Sequence, residues 1–216
     1  MTALAPRPTV AQQKPISVTV SEIAPGVYHA GSSFFYTFAV AQGDSLIIVD
    51  LPDTEARSRA ILDTLRSRFP RTPVRLVVVS HRHGDHIAGL GLAFADGIPV
   101  VTHAATRELI RAFGLPGPTD AANGRIVRAV SDSMTIGSGA NEMHIYAVSN
   151  GHADAMLLVY LPALHLLSAP DLAETGPWDM ERAALVEHVH RLNLRVDRVA
   201  PGHNPVRPWS DFEPKR

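Results

Sequence analysis

The chain has 216 residues and a formal net charge of −1, so it can bury a sizeable core and offers no electrostatic reason to bind nucleic acid or an anionic membrane. Cysteine is absent, which excludes disulfides, thiolate metal ligands and a cysteine nucleophile, so any metal must be held by nitrogen and oxygen. No apolar run reaches the length of a membrane span.

Residues 1–15, rich in Ala, Pro and Gln, lack the apolar core of a signal peptide and read as a flexible leader. A soluble protein is expected, cytoplasmic, or periplasmic if a signal has been removed. The expected partner is a small-molecule substrate; oligomeric state stays open. A single domain is expected over 16–216.

Ile16–Val20 alternates as a half-buried strand, Pro25-Gly26 marks a turn, and Val27–Ala30 starts a second strand. Phe34–Val40, a Gln42-Gly43-Asp44 turn and Leu46–Val49 complete an antiparallel meander. Asp50 at its end is either an orienter of a ligand histidine or a turn cap. Asp53–Phe69 reads as a helix capped by Asp53 or Thr54, with Ala56, Ala60, Ile61, Leu65 and Phe69 as its apolar stripe. Arg57, Arg59, Arg66 and Arg68 would form its solvated side.

The next stretch is the densest in chemistry. Val77-Val78-Val79 reads as a buried strand and stops at Ser80-His81-Arg82-His83-Gly84-Asp85-His86. His81 and His83 are two apart, so an extended segment points both imidazoles to one side. Gly84 lets the backbone turn before Asp85 and His86, and Ile87–Phe94 reads as the start of a helix.

Pro99–Thr102 follows as a strand and Thr106–Phe113 as a helix, with His103 capping the junction. Gly117–Gly124 is turn-rich, and two halves would meet near 115–125. Short strands are expected at Ile126–Val130, Met134–Ile136, His144–Val148, Met156–Leu161 and Leu164–Leu167. Helix Met180–Leu194 would bury Ala183, Leu185, Val186, Val189 and Leu192, leaving His188 and His190 on its polar side. A last strand, Asp197–Ala200, runs into Pro201-Gly202-His203. Strands followed by helix in each half imply an α/β fold: a four-layer αββα sandwich of two β-sheets flanked by helices.

His152, Asp171 and His203 each fall where a strand gives way to a loop beside Gly or Pro. With His81, His83, Asp85 and His86 they make five His and two Asp, enough for two divalent metals. Imidazole and carboxylate suit zinc, with iron or manganese also compatible.

This HxHxDH run, with the later His, Asp and His in order, resembles the metallo-β-lactamase superfamily of hydrolases over roughly residues 16–205. The resemblance implies a first metal held by His81, His83 and His152, a second by Asp85, His86 and His203, and Asp171 bridging them. It further implies a hydroxide shared between two zinc ions, attacking a carbonyl in an ester, lactone, thioester or β-lactam, with Asp85 as the proton relay. Two alternatives share these residues: a mononuclear iron oxidoreductase of the persulfide dioxygenase type, using His81, His152 and Asp171, and a β-lactamase proper. β-Lactamases with a cysteine ligand are a poor match, since Asp171 stands where their Cys would be and Glu174 replaces their carboxylate-binding Lys. Ser32–Tyr36 lies where relatives carry a flap. Phe34, Phe35 and Tyr36 would clamp an apolar substrate there, or else pack as part of the strand.

Overall fold

The structure is a computed structural model that describes residues 15–112, 128–153, 155–174 and 179–213. The expected leader, apart from Pro15, and the turn-rich Gly117–Gly124 lie outside these residues.

The first sheet starts as the expected meander. β1 (Thr19–Ala24), β2 (Val27–Ser32), β3 (Phe35–Gln42) and β4 (Ser45–Val49) pair antiparallel in sequence order. β5 (Val74–Val79), β6 (Val100–His103) and β7 (Arg128–Val130) then add in parallel, making a seven-stranded mixed sheet. The second sheet has six strands: β8 (Ser133–Ile136), β9 (Met143–Val148), β10 (Met156–Leu161), β11 (Leu166–Ser168), β12 (Arg198–Ala200) and β13 (Arg207–Pro208). Its neighbours run antiparallel except β11 and β12, which are parallel.

The helices are α1 (Glu55–Arg68), α2 (Gly84–Ile87), α3 (Leu90–Ala95), α4 (Ala104–Ala112) and α5 (Asp179–Arg191). Thr54 caps α1, its hydroxyl accepting from the Arg57 N–H at 3.2 Å. His103 caps α4 as expected, its Nδ1 accepting from the Ala105 N–H at 3.1 Å.

Strand alternation explains the layering. Within β5, Val77 and Val79 pack with Ile61, Leu65 and Phe94 of α1 and α3, whereas Val78 joins Val49, Ile145, Leu157 and Val159 between the sheets. Within β10, Met156, Leu158 and Tyr160 turn outward to Leu185 and Val189 of α5, and Leu157, Val159 and Leu161 turn inward. Three apolar layers thus separate helices, sheet, sheet and helix. Each fully buried Leu or Val contributes about 1.5–3 kcal/mol.

Several expectations shift. The first strand starts at Thr19 rather than Ile16, leaving Ile16 outside it. Ile87–Phe94 spans the end of α2, a break at Ala88-Gly89 and most of α3 rather than one helix start. A Cβ on Gly89 would lie 2.4 Å from Ser58 Cβ and 2.8 Å from Leu51 Cβ, so α1 approaches the break too closely for a side chain. β7 belongs to the first sheet, and β13, only two residues long, had no readable alternation. On α5, Ala183 is exposed and His188 is buried, reversing the expected assignment.

Candidate metal centre

The strands that carry the candidate residues end side by side, and the loops beyond them supply the side chains. β5 delivers His81 and His83, α2 delivers Asp85 and His86, and the loops after β9, β11 and β12 deliver His152, Asp171 and His203. All seven converge.

Asp171 is the hub. Its Oδ2 lies 2.8 Å from His152 Nε2 and 3.3 Å from His81 Nε2, and His83 Nδ1 is 3.0 Å from that same His81 nitrogen. Its Oδ1 lies 2.9 Å from His86 Nε2 and 3.3 Å from His203 Nε2. Asp85 Oδ2 completes the second group at 3.3 Å from His203 Nε2 and 3.8 Å from His86 Nε2. One carboxylate thus separates two trios. Within each of the sets His81/His83/His152/Asp171 and Asp85/His86/His203, the ligand atoms all lie within 4.8 Å of one another.

The surroundings fix which imidazole nitrogens face inward. Asp50 takes the left-handed region with φ of 64°, which few non-glycine residues adopt. Its Oδ1 accepts from the Ser80 N–H at 2.7 Å, and its Oδ2 accepts from Ser80 Oγ at 2.7 Å and from His86 Nδ1 at 2.8 Å. With Ser80 Oγ donating to Asp50, that oxygen accepts from His81 Nδ1 at 3.0 Å. His81 and His86 therefore each turn Nδ1 outward as a donor and aim Nε2 inward. Of the two readings of Asp50, the structure takes the orienter.

The bare atoms test whether a cation fits. His86 Nε2, His152 Nε2 and Asp171 Oδ1 are buried without a hydrogen-bond partner, although each faces ring nitrogens or carboxylate oxygens at 2.8–3.8 Å. Lone pairs crowded in this way are costly unless a positive charge lies among them. Titration behaviour says the same. Burial pushes the Asp171 carboxyl up, but the imidazoles of His152, His203, His81 and His86 outweigh it and hold it far below the carboxylate range. Burial pulls His86 down, but Asp50 and Asp171 outweigh it and raise it well above an ordinary imidazole. His203 rises to about 9 against its own burial, through Asp171 and Asp85, and contact with His203 lowers Asp85 to about 2. His81 and His83 fall, chiefly through burial. The cluster demands positive charge, and its all-nitrogen and oxygen donor set suits a divalent metal.

Over the cluster lies a cleft of about 250 Å³ lined by Phe34, Phe35 and Glu174 together with His83, Asp85, His152, Asp171 and His203. Phe34, 51% exposed, stacks on the His203 ring at 4.8 Å, and Phe35 meets the same ring edge-on at 5.1 Å. Tyr36, grouped with them in the sequence, does not line the cleft. It points to the other side of β3 and stacks on His29 at 4.3 Å, as strand alternation dictates. Burial pushes the Glu174 carboxyl up to about 7.

Sequence reasoning missed several supporting residues. Ser80, at the head of the histidine run, had no assigned role. Glu181 on α5 is buried, and its carboxylate lies 3.7 Å from His152 Nδ1. His188, expected to be a bystander, hydrogen-bonds the Ser149 carbonyl at 2.5 Å and so ties α5 to the loop that carries His152. Arg57 leaves the solvated side of α1: it pairs with Asp53 at 2.7 Å, donates to the Ser32 carbonyl at 3.2 Å, and lies over the Phe35 ring.

No family model matches the chain. Over 195 residues it is 26% identical to a 2,4-dinitroanisole O-demethylase subunit alpha from Nocardioides sp. (strain JS1661), covering 87% of this chain and 58% of that protein. Over 120 residues it is 25% identical to a metallo-beta-lactamase type 2 from Bacteroides fragilis, covering 56% of this chain and 45% of that one. The chain thus spans about half the length of these curated relatives. Among solved structures, a metallo-beta-lactamase from Pontibacter korlensis superposes with a TM-score of 0.75 at 19% identity, covering 91% of this chain and 95% of that one. The fold is therefore that of the metallo-β-lactamases. Curated relatives bear that name, and the cluster of His81, His83, Asp85 and His86 is consistent with the HxHxDH motif.

Proposed function

We propose that the protein is a metal-dependent hydrolase of an electrophilic acyl compound, an ester, lactone, thioester or β-lactam. One observation carries this reading: Asp171 presents one oxygen to His81 and His152 and the other to His86 and His203. In it, His81, His83 and His152 would hold one divalent ion and Asp85, His86 and His203 a second, with Asp171 next to both sets. Zinc suits these donors best, with iron or manganese compatible. The metals supply Lewis-acid polarisation of the reacting carbonyl and a water of lowered pKa.

The chain's own groups do the rest. Asp85 keeps a 40% exposed side chain at the cleft and a carboxyl held near 2, so it is ionised at neutral pH. Its carboxylate accepts the proton of the attacking water and returns it to the leaving group, giving acid and alcohol, thiol or amine. Asp50 and Ser80 hold His86 and His81 in the tautomer whose lone pair faces inward. Phe34 and Phe35 wall the cleft and keep water off the substrate's apolar side. The relative named for 2,4-dinitroanisole adds an electron-poor aryl ether to the compounds worth assaying.

The test couples elemental analysis to a panel of neutral esters, lactones, thioesters, β-lactams and that ether. A divalent metal should co-purify, and at least one acyl compound should turn over. His81→Ala and Asp85→Ala should each lose on the order of 10²-fold or more in kcat/KM while circular dichroism is unchanged. Full turnover by either variant contradicts the assignment. So does a single iron per chain with oxygen uptake and no hydrolysis.

A further inference from the structure

His86 lies between two carboxylates, with Asp50 at 2.8 Å from its Nδ1 and Asp171 at 2.9 Å from its Nε2. His152, in the other trio, is arranged alike. Its Nε2 is 2.8 Å from Asp171, and its Nδ1 faces the Glu181 carboxylate at 3.7 Å. Asp50 follows β4, whereas Glu181 comes from α5, so each half of the chain supplies one such carboxylate.

Glu181 stands in the first turn of α5 and is only 8% exposed. An acidic residue there has a simpler use, since it complements the positive end of a helix dipole. An exposed carboxylate would serve that use as well, and one taken out of water needs a partner. His152 supplies one. Leu185 and His188 follow at helical spacing on the same buried stripe, and His188 hydrogen-bonds the Ser149 carbonyl at 2.5 Å. Helix α5 therefore reaches the β9–β10 loop twice, once at its backbone and once at the His152 ring.

The backbone of that loop is held independently of Glu181. Asn150 Oδ1 accepts from the N–H groups of His152 and Ala153, each at 2.9 Å. What stays adjustable is the rotation of the His152 ring about its side-chain bonds. A ring movement of about 0.8 Å brings Nδ1 within hydrogen-bond range of Glu181. With Nδ1 donating there, the buried Nε2 carries the lone pair that a metal needs, and the carboxylate behind the ring raises its basicity.

We propose that Glu181 is a positioning residue: from α5 it holds the His152 ring by Nδ1 and keeps Nε2 aimed at the set it shares with His81, His83 and Asp171. This rests on the metal-dependent reading above and adds the group that governs one of its two ions.

The experiment titrates metal-free protein with zinc against a chromophoric chelator. Glu181→Met matches the side chain in length and cannot accept a hydrogen bond. It should weaken one of the two binding steps 10–100-fold, the same step that His152→Ala abolishes. Glu181→Gln, which keeps an acceptor without its charge, should fall between Glu181→Met and wild type. The urea midpoint of metal-free Glu181→Met should be no lower than that of wild type, because an apolar side chain replaces a buried carboxylate. Wild-type affinity for both ions in Glu181→Met would overturn the proposal. So would equal weakening of both steps with a lowered midpoint, the mark of a generally loosened fold. Either result leaves the hydrolase reading intact. A wild-type chain that takes up no zinc, iron or manganese overturns that reading and the role of Glu181 with it.

Discussion

Asp50 shows how a residue with no place on the cleft can govern it. Its backbone enters the left-handed region so that one carboxylate reaches the Ser80 N–H, the Ser80 hydroxyl and His86 Nδ1 together. Replacing it with Ala should leave His86 free to rotate or change tautomer. Metal affinity should fall 10–100-fold, measured by competition against a chromophoric chelator. Unchanged affinity would mean that His86 needs no such partner. The seven candidate ligands were legible because four of them crowd into the run His81–His86, and His152, Asp171 and His203 each stand beside Gly or Pro where a strand ends. Glu181 was not, because nothing local distinguishes it from a solvated helix residue; only the packing of α5 brings it to His152.

At the scale of elements, two pieces hold the cleft in shape. The β2–β3 hairpin carries Phe34 and Phe35, and three contacts tie it down: the Tyr36 N–H to the Gly202 carbonyl at 2.9 Å, and Arg57 to the Ser32 carbonyl and hydroxyl. Arg57 was read as solvated because helical periodicity places it off the apolar stripe, while its real partners lie on another element. Arg57→Ala should loosen the hairpin and raise KM several-fold with kcat largely kept. A fall in kcat alone would argue that the hairpin acts on the chemistry. Helix α5 holds the opposite side. Glu181, Leu185, His188 and Val189 form its buried stripe, and a histidine and a glutamate within such a stripe look polar in sequence although they are packed. His188→Ala leaves the Ser149 carbonyl without its donor and should destabilise the fold by about 1–3 kcal/mol in urea denaturation. Wild-type stability would return His188 to the role of bystander.

Across the whole molecule, short continuous apolar runs in β3, β4, β5 and β10 made both sheets readable, since each strand feeds two different apolar layers. The place of β7 was not readable, because three residues carry no period and its partner β6 is parallel. A further contact joins the sheets close to the site: buried His29 of β2 donates from Nε2 to the Pro201 carbonyl, beyond β12, at 3.1 Å. Burial lowers its pKa from 6.5 to about 4, with the Pro201 contact opposing. The unfolded chain therefore binds a proton between pH 6.5 and 4 that the folded chain refuses. This part of the stability is complete above pH 6.5 and is lost as pH falls towards 4, a change of about 3 kcal/mol. His29→Gln, which keeps a donor and cannot titrate, should show a shallower decline in urea midpoint over that range. Parallel declines would place the acid sensitivity elsewhere.

Metal stoichiometry bears on the central claim most directly, because the whole arrangement of carboxylates and inward-facing imidazoles is explained by the cations they would hold. Wild-type protein dialysed against micromolar zinc should retain about two ions per chain, and Asp171→Ala distinctly fewer. Folded protein that retains none, or a variant lacking Asp171 that retains as many as wild type, would contradict it.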